Sequence, residues 1–249
     1  MNQPSRVAEI LALLTADPGR PRLTWYGGAG ERIELSGAVL ANWVSKTTNL
    51  LVEEFDGAPG VRVGLDLPAH WRTAVWAFAA WRCGACVVLG PGAADCDVVV
   101  TDRPDRHAGA AQLVAVALPG LARRFAGPMP PGTIDAAGAV MTYGDVVGWA
   151  PPVEASASAL DGAGGVISHA ELVPWSLATT ASPGARTLVP AGAGRDDDVA
   201  AMLRTVTGVL AGAGSVVLVG AEPAAELAQD PQRLARLVAS ERIDQGTSA

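Results

Sequence analysis

A stretch rich in glycine and hydroxyl residues is the part of this sequence best suited to hold a phosphate group. Residues 155–172 read ASASALDGAGGVISHAEL, in which small residues lead into a glycine-rich turn and then into the start of a helix. Such a turn can direct several backbone N–H groups at one anion. The candidate nucleotide-binding residues are Ser156, Ser158, Gly162, Gly164 and Gly165. An ordinary flexible turn has the same composition, so both interpretations stay open.

The cysteines offer a second kind of chemistry. Cys83 and Cys86 have the C-x-x-C spacing of zinc ligands, and Cys96, His70 and His107 lie within 25 residues of them. Cys83, however, ends an apolar helical pattern and Cys86 begins an apolar strand pattern, and a second paired motif is missing from the sequence. The cysteines are therefore better explained as small apolar core residues, and we expect no metal.

Two further groupings have simple structural explanations. Asp196, Asp197 and Asp198 could bind Mg²⁺, but they also open a helical pattern, where acidic residues favour the helix dipole. Ser168 and His169 could suggest a nucleophile and its base, but adjacency in sequence does not create that geometry. We therefore expect no catalytic residue in this sequence.

The elements that must position these residues follow an α/β pattern. Helices are predicted near residues 4–15, 36–55, 71–82, 168–180, 196–211 and 230–240 from the spacing of their apolar residues. Strands are predicted at 23–26, 32–35, 61–67, 86–89, 98–101, 113–117, 187–189 and 215–219. Valine-rich runs of this length are typical of buried parallel strands. The expected fold class is α/β, a mostly parallel sheet flanked by helices, in a single domain over 1–249 with a loop-rich connection at about 119–152.

Composition excludes several classes of function. The 249 residues are 49% hydrophobic and 17% charged, which is typical of a folded domain, and no apolar run is long enough to span a bilayer. The net charge is −7, and no Lys or Arg occurs from residue 125 to 185, so a nucleic-acid partner is not expected. Any chemistry that needs a lysine must use Lys46, since it is the only one. Without a signal sequence at the N-terminus, we expect a cytoplasmic protein that does not enter membranes.

Several phrases, in a common order, resemble one enzyme family. They are RIELSGAVLANWVSKTTNLL, GVRVGLDLPAHWRTAVWAFAAWRCGACVVLGP, DVVVTD, GGVISHAEL, RTLVPAGAGRDDDVAAMLRTVTGVLAGAGSVVLVG and RLARLVASERID. This order is similar to the N-terminal part of the adenylate-forming (AMP-binding) superfamily, which contains the acyl-CoA synthetases and adenylation domains, and most closely to a short actinobacterial branch. The resemblance implies that 155–165 corresponds to the family's phosphate loop.

The sequence departs from this family where the family's chemistry lies. The resemblance implies a lysine just before Gly165, but none is present, and Leu160 and Asp161 stand where hydroxyl donors are expected. Asp161 would repel a triphosphate, and no basic residue near it in sequence compensates. The turn at 190–194 lacks the family's histidine, and the family continues beyond the position of Ala249 into its catalytic parts. Lys46, in an early surface helix, is not expected to replace the family's catalytic lysine.

We therefore expect a truncated, degenerate adenylate-forming-like protein, a pseudoenzyme that has lost ATP-dependent acyl activation and serves as a binding or interaction module. Its partner would be a small-molecule ligand, another protein or a second copy of the chain. No cofactor is expected. The alternative is a residual acyl-CoA synthetase-like ligase, completed by a partner chain or a dimer, that would use ATP or AMP with Mg²⁺.

Overall fold

The computed structural model describes residues 3–162, 164–178 and 182–246 and contains two mostly parallel sheets. The strands of the first sheet, in spatial order, are β12 (Gln245–Gly246), β10 (Arg186–Pro190), β11 (Ser215–Val219), β1 (Pro21–Tyr26) and β2 (Arg32–Ser36). Those of the second are β7 (Ile134–Asp135), β6 (Leu113–Ala115), β5 (Val98–Thr101), β3 (Arg62–Asp66), β4 (Cys86–Val88), β8 (Ser158–Gly162) and β9 (Gly165–Ser168). Among the strands of the described residues, the β1–β2 and β8–β9 pairs are antiparallel and the other pairs are parallel.

Helices pack between the two sheets and outside them. The helices are α1 (Val7–Thr15), α2 (Gly37–Phe55), α3 (Trp71–Arg82), α4 (Ala136–Ala139), α5 (His169–Leu177), α6 (Asp197–Ala211), α7 (Ala221–Gln229) and α8 (Pro231–Ser240). On one side α3 contacts β3 and β4 of the seven-stranded sheet, and on the other it contacts α1, α2 and α6. In turn α2 and α6 contact the five-stranded sheet. One continuous apolar core therefore runs through both sheets and the helices between them.

The central helices form where the sequence predicts them. Every residue of α3 from Trp71 to Trp81 is buried, as expected for a helix that is apolar around its circumference. The Ser36 side chain accepts a hydrogen bond from Val39 N and so caps α2, which ends at Asp56 in the left-handed region. The α/β fold class is thus confirmed, with two sheets in place of the one expected.

Several elements differ from the sequence predictions. The segment 221–229 forms helix α7, which the apolar pattern did not predict. Residues 158–162 and 165–168 form the paired strands β8 and β9, where a glycine-rich turn followed by a strand-like pair was expected. Helix α8 has no buried residue, and its inner positions Leu234, Leu237 and Val238 are only half-buried.

Within the described ranges, none of the helices combines the length and the apolar character that crossing a membrane requires.

Candidate functional site

A cleft of about 780 Å³ lies where strands of both sheets end. We call it the carboxyl-end cleft, because its walls follow the carboxyl ends of β1, β3, β10 and β11. In open α/β sheets, ligands bind at this end of the parallel strands. Its lining comes from five separated segments, namely Trp25 with 27–33, 68–70, 118–121 without Gly120, 192–193 and 220–223.

The floor of the cleft is aromatic. The rings of Trp25 and His70 meet edge to face with their centroids 4.3 Å apart, and both residues are almost completely buried. Gly220 passes directly over the indole, since a Cβ at this position would lie 2.8 Å from Trp25 Cη2. A side chain at position 220 would therefore collide with the indole of Trp25.

His70 is held in one tautomer. Its Nδ1 accepts a hydrogen bond from Arg72 N at 3.1 Å, which caps α3 and leaves the proton on Nε2. Burial, with a contribution from the Arg72 charge, lowers the pKa of His70 to about 3. The imidazole is therefore neutral near pH 7 and too weak a base for proton abstraction there.

Glu31 closes one wall and orders the neighbouring loop. Its Oε2 accepts from Trp25 Nε1 at 2.8 Å, and its Oε1 accepts from Gly120 N at 2.7 Å. The carboxylate thus ties the β1–β2 connection to the loop after β6. Glu222 contributes a second, exposed carboxylate to the lining.

The remaining lining is apolar or glycine. Ile33, Leu118 and Leu121 line it, and Leu121 is 95% exposed at the rim. Of the described residues that line the cleft, the ionisable ones are Glu31, Arg32, His70 and Glu222, and none is a Ser, Cys or Lys. The cleft therefore has the chemistry of a binding site for a small apolar molecule, without a nucleophile.

The residues predicted to hold phosphate lie elsewhere, in and around the β8–β9 hairpin. Ser156 is exposed in the turn before β8, and Ser158 pairs with Ser168 across the two strands. Gly162 pairs with Gly165, so only two residues separate the paired strands, and Gly164 is exposed. The structure thus brings Gly162 and Gly165 together and keeps Ser156 outside the ladder. Whether these residues bind a nucleotide stays a prediction.

Several backbone carbonyl groups in and before the hairpin already accept hydrogen bonds from neighbouring elements. Asp161 O accepts from Leu89 N, and Ala155 O and Ala157 O accept from the N–H groups of Ala170 and His169 at the start of α5. The N-terminus of α5 is further closed by the Ser168–Glu171 capping box.

The charge of Asp161 is compensated, contrary to the inference from sequence. Arg62 Nη2, at the start of β3, lies 3.1 Å from Asp161 Oδ2. The inference was wrong because a basic residue 99 positions earlier approaches across the sheet. Lys46 lies on α2 as predicted and contacts Tyr143 O at 2.6 Å and Asp145 Oδ1 at 3.0 Å.

The cysteines pack in the apolar core, and Asp198 at the start of α6 accepts a hydrogen bond from the backbone. Cys83 packs in the main core, whereas Cys86 and Cys96 pack together in a separate small cluster. Burial raises the pKa values of Cys83 and Cys86 to about 11, so their thiols stay protonated. Asp198 Oδ2 accepts from Gly194 N at 2.7 Å. Within residues 3–162, 164–178 and 182–246, no group of three or more potential metal ligands is found.

An ionic cluster ties the two sheets together beside the cleft. Arg195, after β10, contacts both carboxylate oxygens of Asp102 at 2.7 and 3.1 Å and donates to Asp66 O. Burial alone would raise the pKa of Asp66, but hydrogen bonds from His107 and Arg103 outweigh it and hold the pKa below its ordinary value. This cluster spans the sheets near the segments that line the cleft.

Comparisons with known proteins identify the fold. No protein-family model matches the chain. Over 143 residues it is 41% identical to a "TIGR03089 family protein" from Mycobacterium tuberculosis, a match that covers 54% of this chain and 58% of that protein. The crystal structure of Brucella canis acyl-CoA synthetase superimposes with a TM-score of 0.63 at 19% identity, over 86% of this chain and 46% of that one.

The structural likeness defines the fold: the chain has an α/β fold that is also seen in an acyl-CoA synthetase. It spans about half the length of these two relatives.

Proposed function

We propose that this protein binds a small apolar molecule in the carboxyl-end cleft and does not activate carboxylic acids with ATP. One observation carries the proposal: the cleft lies at the carboxyl ends of β1, β10 and β11, whereas the segment that would hold phosphate is a closed hairpin. Fold alone does not decide the function, so the proposal depends on these two sites.

The charges that line the cleft limit the kinds of ligand it can bind. The ionisable lining consists of the two carboxylates of Glu31 and Glu222, the guanidinium of Arg32 and the neutral imidazole of His70. Arg32 is already engaged by Glu34 and Glu241 at 2.7 and 2.9 Å. The cleft therefore favours a neutral or cationic molecule over an anion, and Trp25 would add a cation–π contribution where its face is reached.

A pair of matched probes tests this preference. Phenylethylamine and 3-phenylpropanoate have similar size and opposite charge, and isothermal calorimetry should show the amine binding at least threefold more tightly. Glu222→Gln should reduce that ratio. Equal affinity, or preference for the carboxylate, contradicts the charge argument.

A second pair of variants tests the location. Ala193 is exposed at the cleft wall, so Ala193→Trp should block the amine without disturbing the core. Ser158→Ala in the hairpin is the matched control and should leave binding unchanged. If Ser158→Ala abolished binding and Ala193→Trp did not, the ligand would bind at the hairpin and the proposed location would be contradicted.

The competing function is acyl activation by a residual ligase, completed by a partner chain. It predicts micromolar affinity for MgATP and carboxylate-dependent exchange of pyrophosphate into ATP. Our proposal predicts no MgATP heat signal below the millimolar range and no exchange with mixed carboxylic acids, with or without cell extract. Positive exchange by the purified chain or by the supplemented chain would overturn the proposal.

A further inference from the structure

A buried arginine beneath the cleft wall has no carboxylate partner. The side chain of Arg72, in the first turn of α3, belongs to a residue that is 93% buried, and within the described ranges no Asp or Glu oxygen lies within salt-bridge distance of it. Its Nη2 approaches only the carbonyls of Pro119 and Gly120, at 3.5 and 3.3 Å. Both contacts are long for charge-assisted hydrogen bonds.

The charge is present at neutral pH. Burial lowers the pKa of Arg72 only to about 10, so the guanidinium stays protonated in the folded protein. Glu31 is the nearby carboxylate that favours the charged form, but its oxygens already accept from Trp25 Nε1 and Gly120 N. Glu31 therefore supplies a counter-charge at a distance, but among the described residues no carboxylate forms an ion pair with the guanidinium, and a buried charge without such a pair is unfavourable.

Two aromatic rings lie close to the guanidinium, and its Nε–H has no hydrogen-bond partner among the described residues. Its carbon lies 4.4 Å from the ring centre of Trp71 and 5.3 Å from that of Trp43. These cation–π contacts stabilise the charge in part. Because the guanidinium is planar, an acceptor for Arg72 Nε–H must approach in the plane of the group.

Two buried donors without partners belong to residues that line one small cavity. Arg72 Nε and Trp71 Nε1 are both buried, and among the described residues neither has a hydrogen-bond partner. Both residues line a cavity that Trp43, Thr47, Ala136 and Val140 also enclose. The centre of a water-sized guest can occupy a volume of about 10 Å³ in this cavity, so the cavity can hold one such guest.

We propose that this cavity binds a single monatomic anion, chloride in the cell, on Arg72 Nε–H and Trp71 Nε1–H. An anion satisfies both donors and also neutralises the guanidinium, whereas a water molecule would supply only the hydrogen bonds. Because Arg72 Nη2 contacts the carbonyls at 119–120, the anion also steadies the loop that walls the cleft.

Bromide locates the site directly. Crystals of the intact protein soaked in sodium bromide should give an anomalous peak within about 3.5 Å of both nitrogen atoms. A well-ordered cavity with no anomalous signal, filled by water alone, would overturn the proposal.

Thermal unfolding gives an independent readout in solution. At constant ionic strength, replacing gluconate by chloride or bromide should raise the Tm of the wild-type protein along a saturable curve, as for any ligand that binds only the folded state. Gluconate is too large for the cavity. Identical Tm values in both salts contradict an internal anion.

Variants separate the anion from general salt effects. Arg72→Met should abolish the difference between halide and gluconate, and Trp71→Phe should weaken halide binding at least tenfold. Trp81→Phe is the control, because Trp81 Nε1 donates to Ala159 O in another part of the core. This control should lower the Tm in both salts and keep the halide difference. An unchanged halide effect in Arg72→Met would overturn the assignment.

Discussion

The carboxyl-end cleft and the β8–β9 hairpin are two places where a ligand could be expected, and they are built in opposite ways. The cleft collects loops from both sheets around Trp25 and His70 and leaves a volume of about 780 Å³ between them. The hairpin closes on itself, with Gly162 paired directly with Gly165. The order of helices and strands determines the fold, whereas the loops determine where a ligand can bind.

Replacing the floor of the cleft should have the largest effect. Trp25→Ala removes a 95% buried indole that contacts His70 and donates to Glu31. The free energy of unfolding, measured with urea, should fall by about 3–5 kcal/mol. Phenylethylamine binding should be lost as well.

Val166→Ala is the counterpart in the hairpin, where the side chain is 62% exposed. Its unfolding free energy should stay within about 0.5 kcal/mol of the wild type. Comparable losses in the two variants would remove the distinction between the two regions.

The pH dependence of stability should be steeper for the cleft histidine. Since the pKa of His70 is about 3 when folded and about 6.5 when unfolded, the unfolded chain alone binds the proton between these values. Stability from His70 is thus complete above about pH 6.5 and declines as the pH falls, by at most about 1.4 kcal/mol per unit. His70→Asn, which keeps an acceptor for the cap, should flatten the urea-derived profile between pH 6.5 and 4.5.

His169, which follows the hairpin, provides the comparison. Burial lowers its pKa too, but hydrogen bonds to the backbone of Gly84 and Ala85 oppose the shift. His169→Asn should therefore flatten the profile less than His70→Asn. The reverse order would contradict the assignment of His70 to the more desolvated site.

Replacing one glycine beside the cleft and one in the hairpin tests the same difference between the two regions, with a smaller expected change in the free energy of unfolding. A Cβ at Gly120 would lie 2.0 Å from Ile33 Cδ1, whereas a Cβ at Gly164 would meet no atom within 4 Å. Gly120→Ala should lower the free energy of unfolding by about 1–3 kcal/mol and weaken binding in the cleft. Gly164→Ala should change neither quantity measurably in denaturation or calorimetry.

The smallest effect is expected for restoring a hydroxyl in the hairpin. Asp161→Ser breaks a half-exposed ion pair with Arg62, which contributes at most about 1 kcal/mol. Arg62→Met breaks the same pair and should match it in urea denaturation. Neither variant should acquire micromolar affinity for MgATP in calorimetry, and such a gain in Asp161→Ser would show that the hairpin still holds a phosphate site.

Much of the fold could be predicted because its elements have strong local patterns. The all-apolar sequence of α3 and the serine cap of α2 predict those helices closely. Helix α7 was missed because alanine supplies most of its apolar positions and Leu227 is its one buried residue. Strand β8 was missed because small residues have little strand preference, and its pairing with β4 depends on residues distant in the sequence.

The cleft could not be predicted as a unit, because its lining comes from five segments that only the sheet topology brings together. A weak signal was present in the sequence: Gly27 and Gly220 each follow a strand, as expected where backbone must approach a ligand or a side chain closely. The inference about Asp161 failed for a similar reason, since its partner Arg62 lies on another strand.

Mapping two titrations by the backbone amide signals of the ¹⁵N-labelled protein tests the central claim most directly. Phenylethylamine should shift the amides of Gly27, Gly192 and Gly220 along saturable curves, and MgATP should leave Gly162 and Gly165 unmoved up to millimolar concentration. Saturable MgATP shifts confined to the hairpin at micromolar concentration, with the cleft amides silent toward the amine, would contradict the account.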